Sequence, residues 1–195
     1  MQSKTNSLLN TASELCEDGK FIEALKCYDK VLHIEPNNTK ANIDKGVTLQ
    51  NLERLSQAIQ MYEKVLNSEP ENIDALINMG SALHTLGKYT DAISYYNTVL
   101  RLDEKNTLAL AYKGLSLGEL GNISIAVKYF TKALSIDCDY DLAQSSLDIA
   151  KKLIDAAVDS GANAVKFQKR NLQSIYKKEI LDNPTLDSQG TEILI

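Results

Sequence analysis

Few side chains in this sequence are of a type and spacing that could do chemistry, and Lys166 and Gln168 share one face of a strand-like stretch. Residues 163–168 alternate as a strand does, with Ala164, Lys166 and Gln168 on one face and Val165 and Phe167 on the other. An ammonium and an amide leaving the same face offer charge and N–H donors to an anion. Other reactive groups are sparse. The two histidines, His33 and His84, lie far apart in sequence and exclude a self-contained two-histidine metal site. His84 titrates in the range of a pH switch, but a lone histidine on a helix reads first as polar surface. Cys16, Cys27 and Cys138 are scattered and odd in number, which fits thiols in reducing surroundings rather than a disulfide framework. Cys16 has no histidine or basic pair beside it in sequence to activate it. No cofactor and no metal are expected.

The elements that must position these groups follow from composition and period. The chain has 195 residues, 44% apolar and 24% charged, which is globular composition. Lys and Arg number 21 against 26 Asp and Glu, a net charge of −5. An acidic chain lacks the basic patch that nucleic acid or an anionic membrane needs, so neither is expected as a partner. No apolar run is long enough to span a bilayer, and residues 1–10 are polar, so a cytoplasmic location is expected.

Shifted by 34 residues, the chain aligns with itself. Ala24, Ala58, Ala92 and Ala126 coincide, as do Tyr28, Tyr62, Tyr96 and Phe130, and Leu32, Leu66, Leu100 and Leu134. Ala12, Gly46, Gly80 and Gly114 form another column, and Leu15, Leu49, Leu83 and Leu117 another. Four copies therefore run 5–38, 39–72, 73–106 and 107–140. Apolar residues recur at three and four, so each copy is two amphipathic helices. In the third copy these span 74–86 and 89–102, separated by Gly87 as a left-handed helix stop. The glycine column lets two antiparallel helices approach closely. Pro36 and Pro70 end the first two copies; Glu104 and Cys138 stand there in the others.

This pattern resembles the tetratricopeptide repeat (TPR) family. The matching residues are the small eighth place, Leu at the eleventh, Gly19, Gly87 and Gly121 at the fifteenth, Ala at the twentieth and Tyr or Phe at the twenty-fourth. Glu53 replaces glycine in the second copy, so that interhelix turn is expected to be less regular. The resemblance implies an all-α, right-handed superhelix of four hairpins. It also implies that the first helix of each hairpin lines a concave groove that binds peptides. Groove residues are then Leu9, Ser13, Ile43, Val47, Gln50, Ile77, Ser81, His84, Ala111 and Leu115. Such an aliphatic strip suits an apolar strand or an amphipathic helix of a protein partner. The alternative is that Ile43, Ile77 and Leu115 pack against the next hairpin. Some TPR domains clamp the C-terminal carboxylate of heat-shock chaperones with Lys, Asn and Arg. The matching places here carry Leu9, Ser13 and Asp44, so that ligand is not expected.

After residue 140 the register breaks: Asp148 falls at the small place and Lys151 at the Leu place. Residues 141–160 still read as a helix, with Leu147, Ala150 and Ile154 on one face, suited to cap the array. A strand-like tail, 161–195, follows. The stretches 147–157 and 160–170 resemble the first helix and second strand of sialic acid synthases, which are metal-dependent barrels. That resemblance implies that Lys166 and Gln168 contact phosphoenolpyruvate in a complete barrel. The family's first strand, later strands and metal-holding histidines have no counterpart in this sequence. The chain is therefore expected to be no enzyme but an interaction scaffold, with self-association through the C-terminal tail as a further possibility.

Overall fold

The computed structural model describes residues 2–159. Its helices are α1 (Gln2–Glu17), α2 (Phe21–Ile34), α3 (Thr39–Asn51), α4 (Leu55–Ser68), α5 (Ile73–Thr85), α6 (Tyr89–Leu102), α7 (Thr107–Glu119), α8 (Ile123–Ile136) and α9 (Asp141–Asp159). Eight form hairpins, α1–α2 through α7–α8, and α9 closes the stack. The strand-like tail and residues Lys166 and Gln168 lie outside the described residues.

The first helices of the second, third and fourth copies start on a side-chain cap. Asn38, Asn72 and Asn106 cap α3, α5 and α7: their side-chain oxygens accept the N–H of Ala41 (2.9 Å), Ala75 (3.0 Å) and Ala109 (3.0 Å). Caps of this kind contribute about 1 kcal/mol each. Just upstream, Glu35 accepts hydrogen bonds from Asn38 (2.8 Å) and from Thr5 on the first helix of its own copy (2.8 Å). Glu69 does the same with Asn72 (2.8 Å) and Thr39. These bonds hold both carboxyls below their ordinary range, Asn38 being the larger influence on Glu35 and Thr39 on Glu69. Where the proline is missing, an aspartate turns the chain instead. Asp103 accepts the N–H of Lys105 (3.1 Å) and Asp137 that of Asp139 (3.2 Å), an Asx turn in each case.

The turn at Glu53 corrects the expectation of irregularity. Glu53 takes φ 58°, beside 74°, 75° and 77° at Gly19, Gly87 and Gly121. The bonding is the same too: the Arg54 N–H reaches Leu49 O (2.8 Å) as the Lys88 N–H reaches Leu83 O (2.9 Å). The repeat imposes the left-handed turn, and the glutamate carries the strain.

Inside each hairpin the small column meets the aromatic column. A Cβ added at Gly80 would sit 2.5 Å from Tyr96 Cε1, and one at Gly114 2.5 Å from Phe130 Cε1; at Gly46 it would meet Tyr62. Tyr28, Tyr62 and Tyr96 are fully buried as a result, each contributing on the order of 2 kcal/mol of apolar burial. Behind them the buried column is Val31, Val65, Val99 and Ala133. The leucines one place on, from Leu32 to Leu134, are only half-buried.

Helix α9 keeps more of the register than its sequence suggests. Ala143 continues the fully buried column Ala41, Ala75, Ala109, and Ala150 continues Thr48, Ala82, Ser116. Leu147, Ala150 and Ile154 pack on Ala126, Val127 and Phe130 of α8. The helix therefore stands where a fifth hairpin would begin. On its far side Asp148 accepts from Gln144 (3.0 Å) and pairs with Lys151 (4.0 Å), a polar surface at the end of the described residues.

Candidate functional site

The odd-numbered helices touch one another across the stack, α3 on α5, α5 on α7 and α7 on α9, while the even ones make no comparable contact. Helices that approach each other lie on the inside of a curve, so α1, α3, α5, α7 and α9 line the concave side.

The ninth place of each repeat opens onto that side. Ser13, Ser81 and Leu115 are half-buried, Val47 is 36% exposed, and Ile149 on α9 is 60% exposed. Ile149 belongs to this column although the sequence reading ended the array at residue 140; its spacing from Leu115 was the available signal. The fifth place behaves differently. Leu9 is buried with Ala12, Tyr28 and Ala41, Ile77 with Val99 and Ala109, and Ala111 with Ala133 and Ala143. These three fill the seams between hairpins, the packing role held open as the alternative for Ile77, and they are closed to a ligand. Ile43 alone of that column is half-buried.

The twelfth place bridges neighbouring helices. Cys16 Sγ lies 3.3 Å from Thr48 Oγ1, Gln50 Nε2 donates to Ser81 Oγ (3.5 Å), and His84 Nδ1 lies 2.9 Å from Ser116 Oγ. Thr48 and Ser116 are buried hydroxyls that the sequence reading did not single out; both stand in the small tenth place. Beneath this ladder the repeat tyrosines aim their hydroxyls inward. Tyr62 donates to Gln50 Oε1 (2.5 Å), and the Tyr28 hydroxyl lies 3.9 Å from Cys16 Sγ. The Tyr96 hydroxyl is buried with no partner, because His84 has turned to Ser116. In the fourth copy the pair becomes Phe130 and Gly118, with neither hydroxyl nor side chain. A Cβ at Gly118 would meet nothing, so the ladder ends there in a notch.

Electrostatics keep the ladder neutral. Burial pushes the phenols of Tyr28, Tyr62 and Tyr96 up, so they remain donors. Burial lowers the His84 pKa against the opposing pull of Glu119. Its ring stands edge-on to Tyr89, centroids 5.1 Å apart. The histidine thus serves as a neutral structural bridge, not as open surface. Of the clamp places, Leu9 is buried and Asp44 pairs with Lys40 (3.1 Å). Among the described residues no group of three or more His, Cys, Asp or Glu could hold a metal, and no helix is long and apolar enough to cross a membrane. A cavity of about 300 Å³ between α2, α3 and α4 is spanned by its own ion pair, Lys45 to Asp29 (2.6 Å).

No curated protein sequence matches the chain significantly. Solved structures do. A MamA protein superposes over 97% of both chains with a TM-score of 0.69 at 20% identity. YrrB, a TPR protein with an unusual peptide-binding site, superposes on 85% of this chain and 91% of its own, with a TM-score of 0.60 at 23% identity. The first TPR of Spaghetti (RPAP3), bound to an HSP90 peptide, covers 60% of this chain and 92% of its own, with a TM-score of 0.56 at 22% identity. At these identities the likeness is one of fold. Models of the tetratricopeptide repeat match residues 39–72, 73–106 and 109–140, together more than half the chain. The chain belongs to the tetratricopeptide repeat family.

Proposed function

We propose that this chain is a protein-interaction scaffold whose concave face binds a peptide or helix of a partner, and that it performs no chemistry itself. The observation that carries the reading is the ninth-place column. Neighbouring places are buried in the seams, while Val47 and Ile149 stay open on the inner curve and Leu115, packed in part against α8 and α9 as its alternative reading held, is half-buried there. Exposed apolar side chains aligned across successive helices are what an amphipathic ligand needs. The peptide-binding descriptions of YrrB and the RPAP3 domain support the same reading. The acidic chaperone tail is not the proposed ligand, since Leu9, Ser13 and Asp44 cannot clamp carboxylates. The superhelix is taken as right-handed, as the family resemblance implies.

The test is a peptide-display selection against the chain, followed by titration of the selected peptide. Leu115→Glu should weaken binding at least about tenfold, because a carboxylate would be buried under an apolar ligand. Ile125→Glu, on the exposed outer side of α8, should leave it unchanged. Equal losses, or none, would refute the groove. A second reading, a synthase-like fusion, rests on Lys166 and Gln168 of the Lys-Phe-Gln segment alone; binding of phosphoenolpyruvate to the chain would support it.

A further inference from the structure

The concave face is not uniform along its length. Toward α1 and α3 most of the places open to the groove are polar, among them Asn10, Ser13, Asp44 and Gln50, with Val47 as the exposed apolar exception. Toward α7 and α9 they turn apolar: Leu108 is 36% exposed, Leu115 is half-buried, and Ile149 is 60% exposed. The notch at Gly118 opens beside them. Two exposed acids flank this patch, and one exposed base, Lys152, lies a turn beyond Ile149. Asp74 precedes Leu108 in the second-place column, and Glu119 lies one helical turn beyond Leu115.

The other side of α9 is closed to a regular continuation. In the earlier copies the second helix packs against a small eighth-place residue, Gly46, Gly80 or Gly114. Here that place is Asp148, bonded to Gln144 and Lys151. A helix laid there would bury its charge. The chain that follows nevertheless carries apolar side chains that need a surface. Residues 164–178 contain Val165, Phe167, Leu172, Ile175 and Tyr176. They also contain Lys166, Lys169, Arg170, Lys177 and Lys178 and no acidic residue, in a chain whose net charge is −5.

Deepening the groove reading, and resting on it, we infer that residues 164–178 of this same chain cover the apolar end of the concave face, as a built-in ligand that an outside partner must displace. The reach is sufficient. Ile149 lies ten residues before the end of α9, about 15 Å at the helical rise. Five extended residues span about 17 Å, so residue 164 can return beside Ile149. The apolar side chains then meet Leu108, Leu115 and Ile149, and the basic ones meet Asp74 and Glu119. Intrachain docking lowers the affinity for an outside ligand by the fraction of time that the groove is free.

The experiment uses the full chain, wild type and the double variant Phe167→Asp, Ile175→Asp. The probe is a synthetic amphipathic helix of leucine and lysine, read by methyl NMR at Leu108, Leu115 and Ile149, with mass followed by light scattering. The inference predicts monomers, variant methyl shifts that differ from wild type, and roughly tenfold tighter probe binding to the variant. Equal affinities with the same methyls perturbed would overturn the inference and leave the groove reading standing. No probe response at these methyls in either protein would sink both. A wild-type dimer that the double variant abolishes would place a second copy's segment in the groove and overturn the intrachain assignment.

Discussion

Tyr62 and Tyr96 occupy the same place in successive repeats and are equally buried, yet only one hydroxyl is satisfied. Tyr62 donates to Gln50, and Tyr96 has no partner. Tyr62→Phe should therefore cost about 1 kcal/mol by urea denaturation, while Tyr96→Phe should be neutral or stabilising, since it removes a buried group with no bond to lose. Equal losses would show that the Tyr96 hydroxyl has a partner. Glu53 offers the opposite case, a residue paying for its neighbours' geometry. Glu53→Gly should raise stability by about 1 kcal/mol, the left-handed strain outweighing the entropy that glycine adds to the unfolded chain. Gly80→Ala should lower it by about 1–3 kcal/mol, because the added methyl meets the fixed Tyr96 ring and overpacking outweighs helix propensity.

Helices are the scale at which the sequence was most legible. The columns Ala24 to Ala126 and Tyr28 to Phe130 located the hairpins, because a 34-residue period leaves little freedom in which face is buried. The boundaries moved slightly: the first helix of the third copy runs Ile73–Thr85, started by the Asn72 cap. Asn72→Ala should cost about 1 kcal/mol, measured as a lower denaturation midpoint. What the sequence hid were contacts between repeats. Nothing local says that Cys16 reaches Thr48 or that His84 reaches Ser116, since each bond joins residues of different copies. Nor did residue type separate Ile77, closed in a seam, from Ile43, half open. That depends on how tightly successive helices stack. Ile149 was overlooked because Asp148 and Lys151 break the pattern on the outer face, while the inner face carries on.

Across the whole molecule, acid acts in one direction. Glu35 and Glu69 are held below the ordinary 4.5 by hydrogen bonds made only when folded. Their contribution is fully present above that value and is lost below it, as pH falls through their lowered folded-state pKa values. His84 is held below 6.5 by burial, so folding favours its neutral form, and stability falls as pH drops below 6.5. The thermal midpoint should thus decline on acidification from about pH 7. His84→Gln should flatten the first part of the decline, just below pH 6.5, and leave the carboxylate-driven part. An unchanged profile would mean that His84 is not desolvated in the folded chain.

Binding on the inner curve of the stack can be observed residue by residue. The most direct measurement is methyl NMR on the full chain during titration with a display-selected peptide. Binding there would give shifts confined to the odd helices, led by Val47, Leu115 and Ile149, with Ile22 and Ile125 on the even helices still. Shifts led by Ile22 and Ile125, with the inner methyls unmoved, would contradict it.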